Sequence, residues 1–126
     1  MSAYPEHVMD HYRHPRNNEF ENDIQYTCSS GVDNPSCGDK IQVKAYVTNG
    51  VMKDVAWEGV GCALSTASAS IMTEKVKGKL IHDILGMTKD DVLSEIDMKI
   101  TPTRLPCALI SLEAIQKALR ENVTSS

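Results

Sequence analysis

No stretch of this chain approaches the roughly 18 consecutive apolar residues that a membrane-spanning helix needs. Its first residues, MSAYPEHVMDHYRHPRNNEF, lack the apolar centre of a secretory signal and carry Pro5, Glu6 and Asp10. Both absences point to a cytoplasmic protein with no membrane partner. An excess of basic charge is missing too: 13 Lys and Arg stand against 17 Asp and Glu, for a formal charge of −4 and a pI near 5.5. That balance excludes a nucleic-acid partner, which requires a basic face. Arg13, His14 and Arg16 form only a short basic patch, expected at the solvated end of a helix. There is no Cys-x-x-Cys pair, so neither a thioredoxin-like motif nor a zinc knuckle is available. Internal repeats, linkers and low-complexity segments are absent apart from a Val-Thr-Ser-Ser tail, and residues 1–126 read as one domain.

What is present is ordinary for a globular protein, with 41% hydrophobic and 24% charged residues. The pattern predicts a helix over Ala3 to Asn18, with Pro5 in its first turn and Pro15 near its end. Ile24 to Thr27 reads as a short strand before the turn-rich run Ser29 to Ser36. Ile41, Val43, Ala45 and Val47 then alternate with polar residues, Asn49-Gly50 supplies a type I′ turn, and Val51, Lys53, Val55 and Trp57 alternate on the return. Helices follow at Cys62 to Lys77, Lys79 to Leu85, Asp90 to Ile96 (with Thr88 as N-cap) and about Leu105 to Asn122. The small residues of ALSTASAS mark the helix after Cys62 as centrally packed. On the last helix Leu105, Ala108, Leu109, Leu112, Ile115 and Leu119 share a core-facing stripe. Strands first and helices afterwards make an α+β domain: a small antiparallel sheet packed by about five helices.

Four cysteines in a cytoplasmic chain are expected to be thiols or metal ligands rather than disulfides. Cys37 sits in the loop Asn34-Pro35-Ser36-Cys37-Gly38-Asp39, Cys62 opens a helix after Gly-Val-Gly, and Cys107 follows Pro106 at the start of the last helix. A thiol at a helix start faces free N–H groups and the positive end of the dipole, which favours its thiolate. Asp39, two residues after Cys37, lies on the same side of an extended strand and adds an oxygen. Three sulfurs and one oxygen suit tetrahedral zinc or a [2Fe–2S] cluster, and the residues alone leave both open.

The segments YPEHVMDHYRHPRNN, NPSCGDKIQV, GVGCALSTASASIMTEKVKGK and RLPCALISLEAIQKAL together resemble the IscU/NifU-type iron–sulfur scaffold family, through nearly the whole chain and with the three cysteines in order. The resemblance implies a three-stranded antiparallel sheet packed by helices, with the metal site at one exposed end. It implies a [2Fe–2S] cluster held by Cys37, Cys62 and Cys107, with Asp39 ligating or tuning it; such a thiolate-rich site is expected to take Zn²⁺ in the cluster's absence. It implies a scaffold rather than an enzyme, fed by a cysteine desulfurase that delivers sulfur as a persulfide, and serving apo iron–sulfur client proteins. Cys107 and Cys37 are the candidate persulfide acceptors; self-association is left open.

Two departures stand out. Pro106 replaces the family's histidine before the third cysteine, which makes Asp39 the better fourth ligand. Thr101-Pro102-Thr103-Arg104 replaces the stretch that the Hsp70-type chaperone recognises, which puts that partner in doubt. Pro106 also keeps open a zinc-dependent sulfurtransferase of the SufU type, against which stands the lack of an insertion between Cys62 and Cys107.

Of the other residues, Cys28 is expected to be structural, or else an auxiliary thiol near the site. His7, His11 and His14, spaced along one helix, are expected to be solvent-exposed rather than ligands, as is His82. Trp57 and Tyr46 are expected to pack. Arg104 is placed to pair with Asp39 or to steady an anionic sulfur, and Lys40 to moderate the site's charge.

Overall fold

The computed structural model describes residues 4–35 and 38–122. Its elements run in the order α1 (Glu6–Arg13), β1 (Cys28–Asn34), β2 (Asp39–Thr48), β3 (Val51–Val60), α2 (Ala63–Val76), α3 (Ile81–Leu85), α4 (Lys89–Ile96) and α5 (Leu105–Asn122). A 3₁₀ turn, Pro102–Arg104, leads into α5. The three strands form one antiparallel sheet in the order β1-β2-β3.

The β2–β3 hairpin forms where its turn residues demand it. Asn49 and Gly50 both take positive φ, 54° and 76°, as a type I′ turn requires. Ile41, Val43 and Ala45 of β2 are buried, as their alternation predicts. A bulge between Tyr46 and Val47 then shifts the register. Met52 therefore joins Val55 and Trp57 in the core, in place of Val51, which is half-exposed. Tyr46 is 37% exposed and stands outside the core, contrary to the packing role expected of it.

The first strand is displaced from its predicted place. Residues 24–27 are not strand, because Tyr26 folds back: its ring meets Phe20 edge-on at 6.1 Å, and its hydroxyl accepts the Glu21 N–H at 3.0 Å. The strand is instead Cys28–Asn34, across what reads as a turn-rich run. Tertiary contacts override weak propensity here. All seven residues pair with β2, the Ser30 hydroxyl donates to the Ala114 carbonyl at 2.6 Å, and Lys117 donates to the Gly31 carbonyl at 3.1 Å.

Helix α2 lies at the centre. Ten of its fourteen residues are buried, from Leu64 and Ser65 through Ala67–Thr73 to Val76. Small side chains allow that, and its buried hydroxyls, on Ser65, Ser68, Ser70 and Thr73, are all hydrogen-bonded. Ser68 donates to the Ala108 carbonyl of α5 at 2.6 Å, and Ser70 takes the Arg16 N–H at 2.8 Å. The short helices α3 and α4 fall close to their predicted places, and Thr88 with Asp91 forms a capping box. The apolar face of α5 is wider than its stripe suggests. Cys107, Ile110, Ser111, Ala114 and Ala118 are buried too, whereas Leu105 and Leu109 are half-exposed.

Helix α1 is shorter than predicted, ending at Arg13; His7 and His14 are exposed as expected, whereas His11 is partly buried. His7 Nε2 lies 2.6 Å from the Ile96 carbonyl, and His11 Nδ1 lies 2.6 Å from the Ser70 hydroxyl. The patch after α1 is likewise used: Arg16 pairs with Asp10 at 2.7 Å, and its carbonyl accepts the Trp57 indole N–H at 2.9 Å. Burial first, and then the Arg16 guanidinium, hold His11 below its ordinary value against the pull of Glu74 and Asp10. A histidine that resists protonation when folded contributes stability that is whole above about pH 6.5. That contribution is lost as pH falls through the lowered native value. Stability measured by urea unfolding between pH 7 and pH 5 should therefore fall less steeply in His11→Gln than in the parent.

Candidate metal centre

The three chain segments that the cysteines mark do meet. Asp39 opens β2, Cys62 caps α2, and Cys107 is the third residue of α5, after Pro106. Their ligand atoms, one carboxylate oxygen and two sulfurs, all lie within 4.8 Å of one another. This is the cluster of metal-ligating groups found among the described residues. Cys37 lies outside those residues; its neighbour Gly38 has φ of 76° and donates its N–H to the Asn34 carbonyl at 2.9 Å.

Why the chain folds this way is visible in its glycines. A Cβ on Gly59 would strike the Lys40 carbonyl oxygen across the β2–β3 pair, and one on Gly61 would strike the Ser65 hydroxyl and the Asp39 carboxylate. The absent side chains let the turn into α2 close over Asp39. Gly61→Ala should therefore displace the carboxylate and weaken Zn²⁺ binding at least about tenfold, the order seen when groups supporting a metal ligand are lost. Chelator competition would show it.

Asp39 is 2% exposed. Its Oδ1 accepts the Cys62 backbone N–H at 3.2 Å and the Ser65 hydroxyl at 3.3 Å, while that same hydroxyl lies 3.0 Å from the Cys62 carbonyl. The carboxylate thus braces the start of α2 as well as facing the sulfurs. A half-open space of about 10 Å³ lies beside it, lined by Trp57, Gly59 and Ile110 among others. That is room for one water at most.

The two described thiols differ. Cys107 is 5% exposed, whereas Cys62 is half-buried. Burial pushes the Cys62 thiol up, but hydrogen bonds from the Ser65 N–H and hydroxyl, from Arg104 and from Cys107 outweigh it, and the net shift is downward. Such a group favours the thiolate that both nucleophilic attack and metal ligation require. Arg104 Nη2 stands 3.9 Å from the Cys62 sulfur, a contact that fits the role beside an anionic sulfur expected of it. Lys40 is exposed at the rim.

Among the described residues, Cys28 and the histidines lie outside the cluster. Cys28 is buried where β1 begins, opposite Ala45. The strand continues to Asn34 opposite Asp39, so roughly 20 Å separates the two ends at about 3.3 Å per residue. His7 and His11 hold α1 in place, and His82 is exposed. Sequence reading missed Ser65, and it noted Gly61 only as part of the Gly-Val-Gly before Cys62, not as the residue whose absent side chain lets Asp39 approach. It also missed Tyr4, whose ring lies 5.3 Å from the Arg104 guanidinium carbon and for which no local pattern gives a sign.

Comparison with known proteins identifies the family and the fold. The family model described as the NifU-like N-terminal domain matches residues 3–124. The chain is 34% identical over 135 aligned positions to the zinc-dependent sulfurtransferase SufU of Bacillus subtilis, covering 94% of this chain and 90% of that one. It is 32% identical over 121 positions to the iron–sulfur cluster assembly scaffold protein IscU of Escherichia coli, covering 94% and 93%. Among solved structures, a putative iron–sulfur cluster assembly scaffold protein for the SUF system of Fervidobacterium islandicum superposes with a TM-score of 0.79 at 25% identity, over 93% of this chain and 96% of that one. A NifU-like N-terminal protein of Brucella abortus shares the fold with a TM-score of 0.79 at 20% identity, over 98% and 96%.

Proposed function

Because this chain belongs to the NifU-like N-terminal domain family, we propose that it is a scaffold on which a [2Fe–2S] cluster is assembled and from which it is released. The observation that carries the reading is the convergence of Asp39, Cys62 and Cys107 within 4.8 Å at one end of the sheet. Cys37, assigned by its place in the NPSCGDKIQV motif, completes the set. The cluster is the protein's cargo.

The proposed sequence begins with a cysteine desulfurase presenting its persulfide. A scaffold thiolate attacks the outer sulfur, a new S–S bond forms on the scaffold, and the desulfurase cysteine leaves as a thiolate. Two electrons from a reductant then convert that sulfur to sulfide, which ferrous iron traps between the ligands. Cys37 and Cys107 are the proposed acceptors. Since Cys107 is 5% exposed, its turn as acceptor requires the residues packed around it to give way first. A carboxylate is a harder and weaker partner for iron–sulfur chemistry than a thiolate, so the mixed ligand set favours handing the cluster to an apo-protein.

A second reading has its own support. The similarity to a zinc-dependent sulfurtransferase is as high as that to the scaffold relatives, and Pro106 denies the site a histidine. In that reading the chain keeps Zn²⁺ and relays persulfide sulfur without building a cluster. However, 94% of this 126-residue chain aligns over 135 positions, so gaps open in this chain opposite extra residues of that relative. Anaerobic incubation with desulfurase, cysteine, ferrous iron and a reductant separates the two. The scaffold gives visible charge-transfer bands, equal iron and sulfide, and transfer to apo-ferredoxin. Persulfide on the chain with zinc retained and no bands would establish the relay instead.

A further inference from the structure

Arg104 is the cation that stands beside the Cys62 sulfur, and what holds it there is a second residue. Arg104 ends the 3₁₀ turn before α5, and its Nη2 stands 3.9 Å from the Cys62 sulfur. Its guanidinium carbon lies 5.3 Å from the centre of the Tyr4 ring. Three parts of the chain meet there: the segment before α1, the start of α2 and the turn into α5. A flexible arginine on a surface turn loses much rotamer freedom when held, and a single long N–H···S contact does little to hold it. The flat Tyr4 ring supplies a second hold, because a planar guanidinium pairs well with an aromatic face.

We propose that Arg104, held against Tyr4, is a positioning residue for Cys62: it pins the sulfur where Asp39, Cys62 and Cys107 meet and so slows the loss of a bound metal ion. The inference rests on the metal-centre reading. Repulsion between the guanidinium and the metal does not undo it. Two thiolates and a carboxylate carry three negative charges, Zn²⁺ brings two positive ones, and the remaining negative charge faces Arg104. Tyr4 acts through Arg104, and Arg104 through the sulfur; neither touches the metal. The segment ahead of α1 is thereby part of the metal centre's support.

The test loads the full chain with one equivalent of Zn²⁺ and follows its release into an excess of a chromogenic chelator. Arg104→Ala and Tyr4→Leu should each release zinc about two- to fivefold faster, as the loss of one cation–π contact implies. The double variant should be no faster than Arg104→Ala, because both changes break one linkage. Tyr4→Phe keeps the ring but loses the hydroxyl's hydrogen bond with Arg104, so it should keep most but not all of the parent's slow release, and Arg104→Lys, with its charge but not its flat fork, recovers only part. Cys62→Ser is the control. If it releases zinc no faster than the parent, the metal-centre reading fails. If it does release faster while Arg104→Ala does not, this inference alone fails. Effects that add in the double variant, or that lower the melting of the metal-free protein equally, assign both residues to the fold and overturn the proposal.

Discussion

Serine at position 62 is expected to weaken Zn²⁺ binding by more than about a hundredfold and to abolish retention of a reconstituted cluster. Even partners that only support a metal ligand are worth about ten- to a hundredfold, and Cys62 supplies one of the sulfurs directly. Its half-exposed sulfur, its lowered thiol pKa and its place at the start of α2 all make it a ready donor. Cys107→Ser should match it, and Cys37→Ser should as well if the motif assigns that residue correctly. The contrast is Cys28→Ser. That thiol is 8% exposed at the far end of β1, so the change should leave metal affinity intact. It puts a hydroxyl among apolar neighbours and should lower stability by about 1–3 kcal/mol. Equilibrium chelator competition and urea unfolding of the metal-free proteins give the two readings. A Cys28→Ser protein that lost the metal as completely as Cys62→Ser would overturn the ligand assignment.

The second large effect is expected at Asp39. An oxygen ligand yields easily to an incoming thiolate, and this one is weakened further because its Oδ1 already accepts the Cys62 N–H and the Ser65 hydroxyl. Asp39→Ala should therefore lengthen the life of the cluster in air and slow its transfer to apo-ferredoxin. The same change removes a buried hydrogen-bond acceptor, and the metal-free protein should lose about 1–3 kcal/mol of stability. The two effects point in opposite directions, which keeps them apart. Visible absorbance after adding oxygen, and separately after adding apo-ferredoxin, gives the first; urea unfolding gives the second. Faster decay together with faster transfer would leave Asp39 as a plain stabilising ligand.

The parts of the structure written in local chemistry were legible in the sequence. Asn49-Gly50 fixed the hairpin turn, Thr88 the start of α4, and the small residues after Cys62 the central helix. What was not legible depends on partners distant in the chain. The bulge at Tyr46/Val47 exchanged Met52 for Val51 in the core without any glycine or proline to announce it. Strand β1 is built from Ser29, Ser30, Gly31, Asp33 and Asn34, which are poor strand formers. It exists because β2 and α5 supply its hydrogen bonds. The same holds at the metal centre. Cys62, Cys107 and Asp39 were identifiable from helix starts and family motifs. The brace from Asp39 to Cys62 and Ser65, and the contact of Arg104 with Tyr4, arise only when segments far apart fold together. His11 teaches the same lesson: a helical histidine that looked solvent-exposed is held by Ser70, fifty-nine residues away.

The account stands or falls on whether Asp39, Cys62 and Cys107 bind one metal ion together. X-ray absorption at the zinc K edge, on protein carrying a single equivalent of Zn²⁺, examines that directly. The predicted result is a four-coordinate shell of sulfur at about 2.3 Å and oxygen at about 2.0–2.2 Å. It should lose one sulfur in Cys62→Ser and its oxygen contribution should change in Asp39→Ala. A shell of nitrogen and oxygen alone, or one that neither substitution alters, would contradict the account.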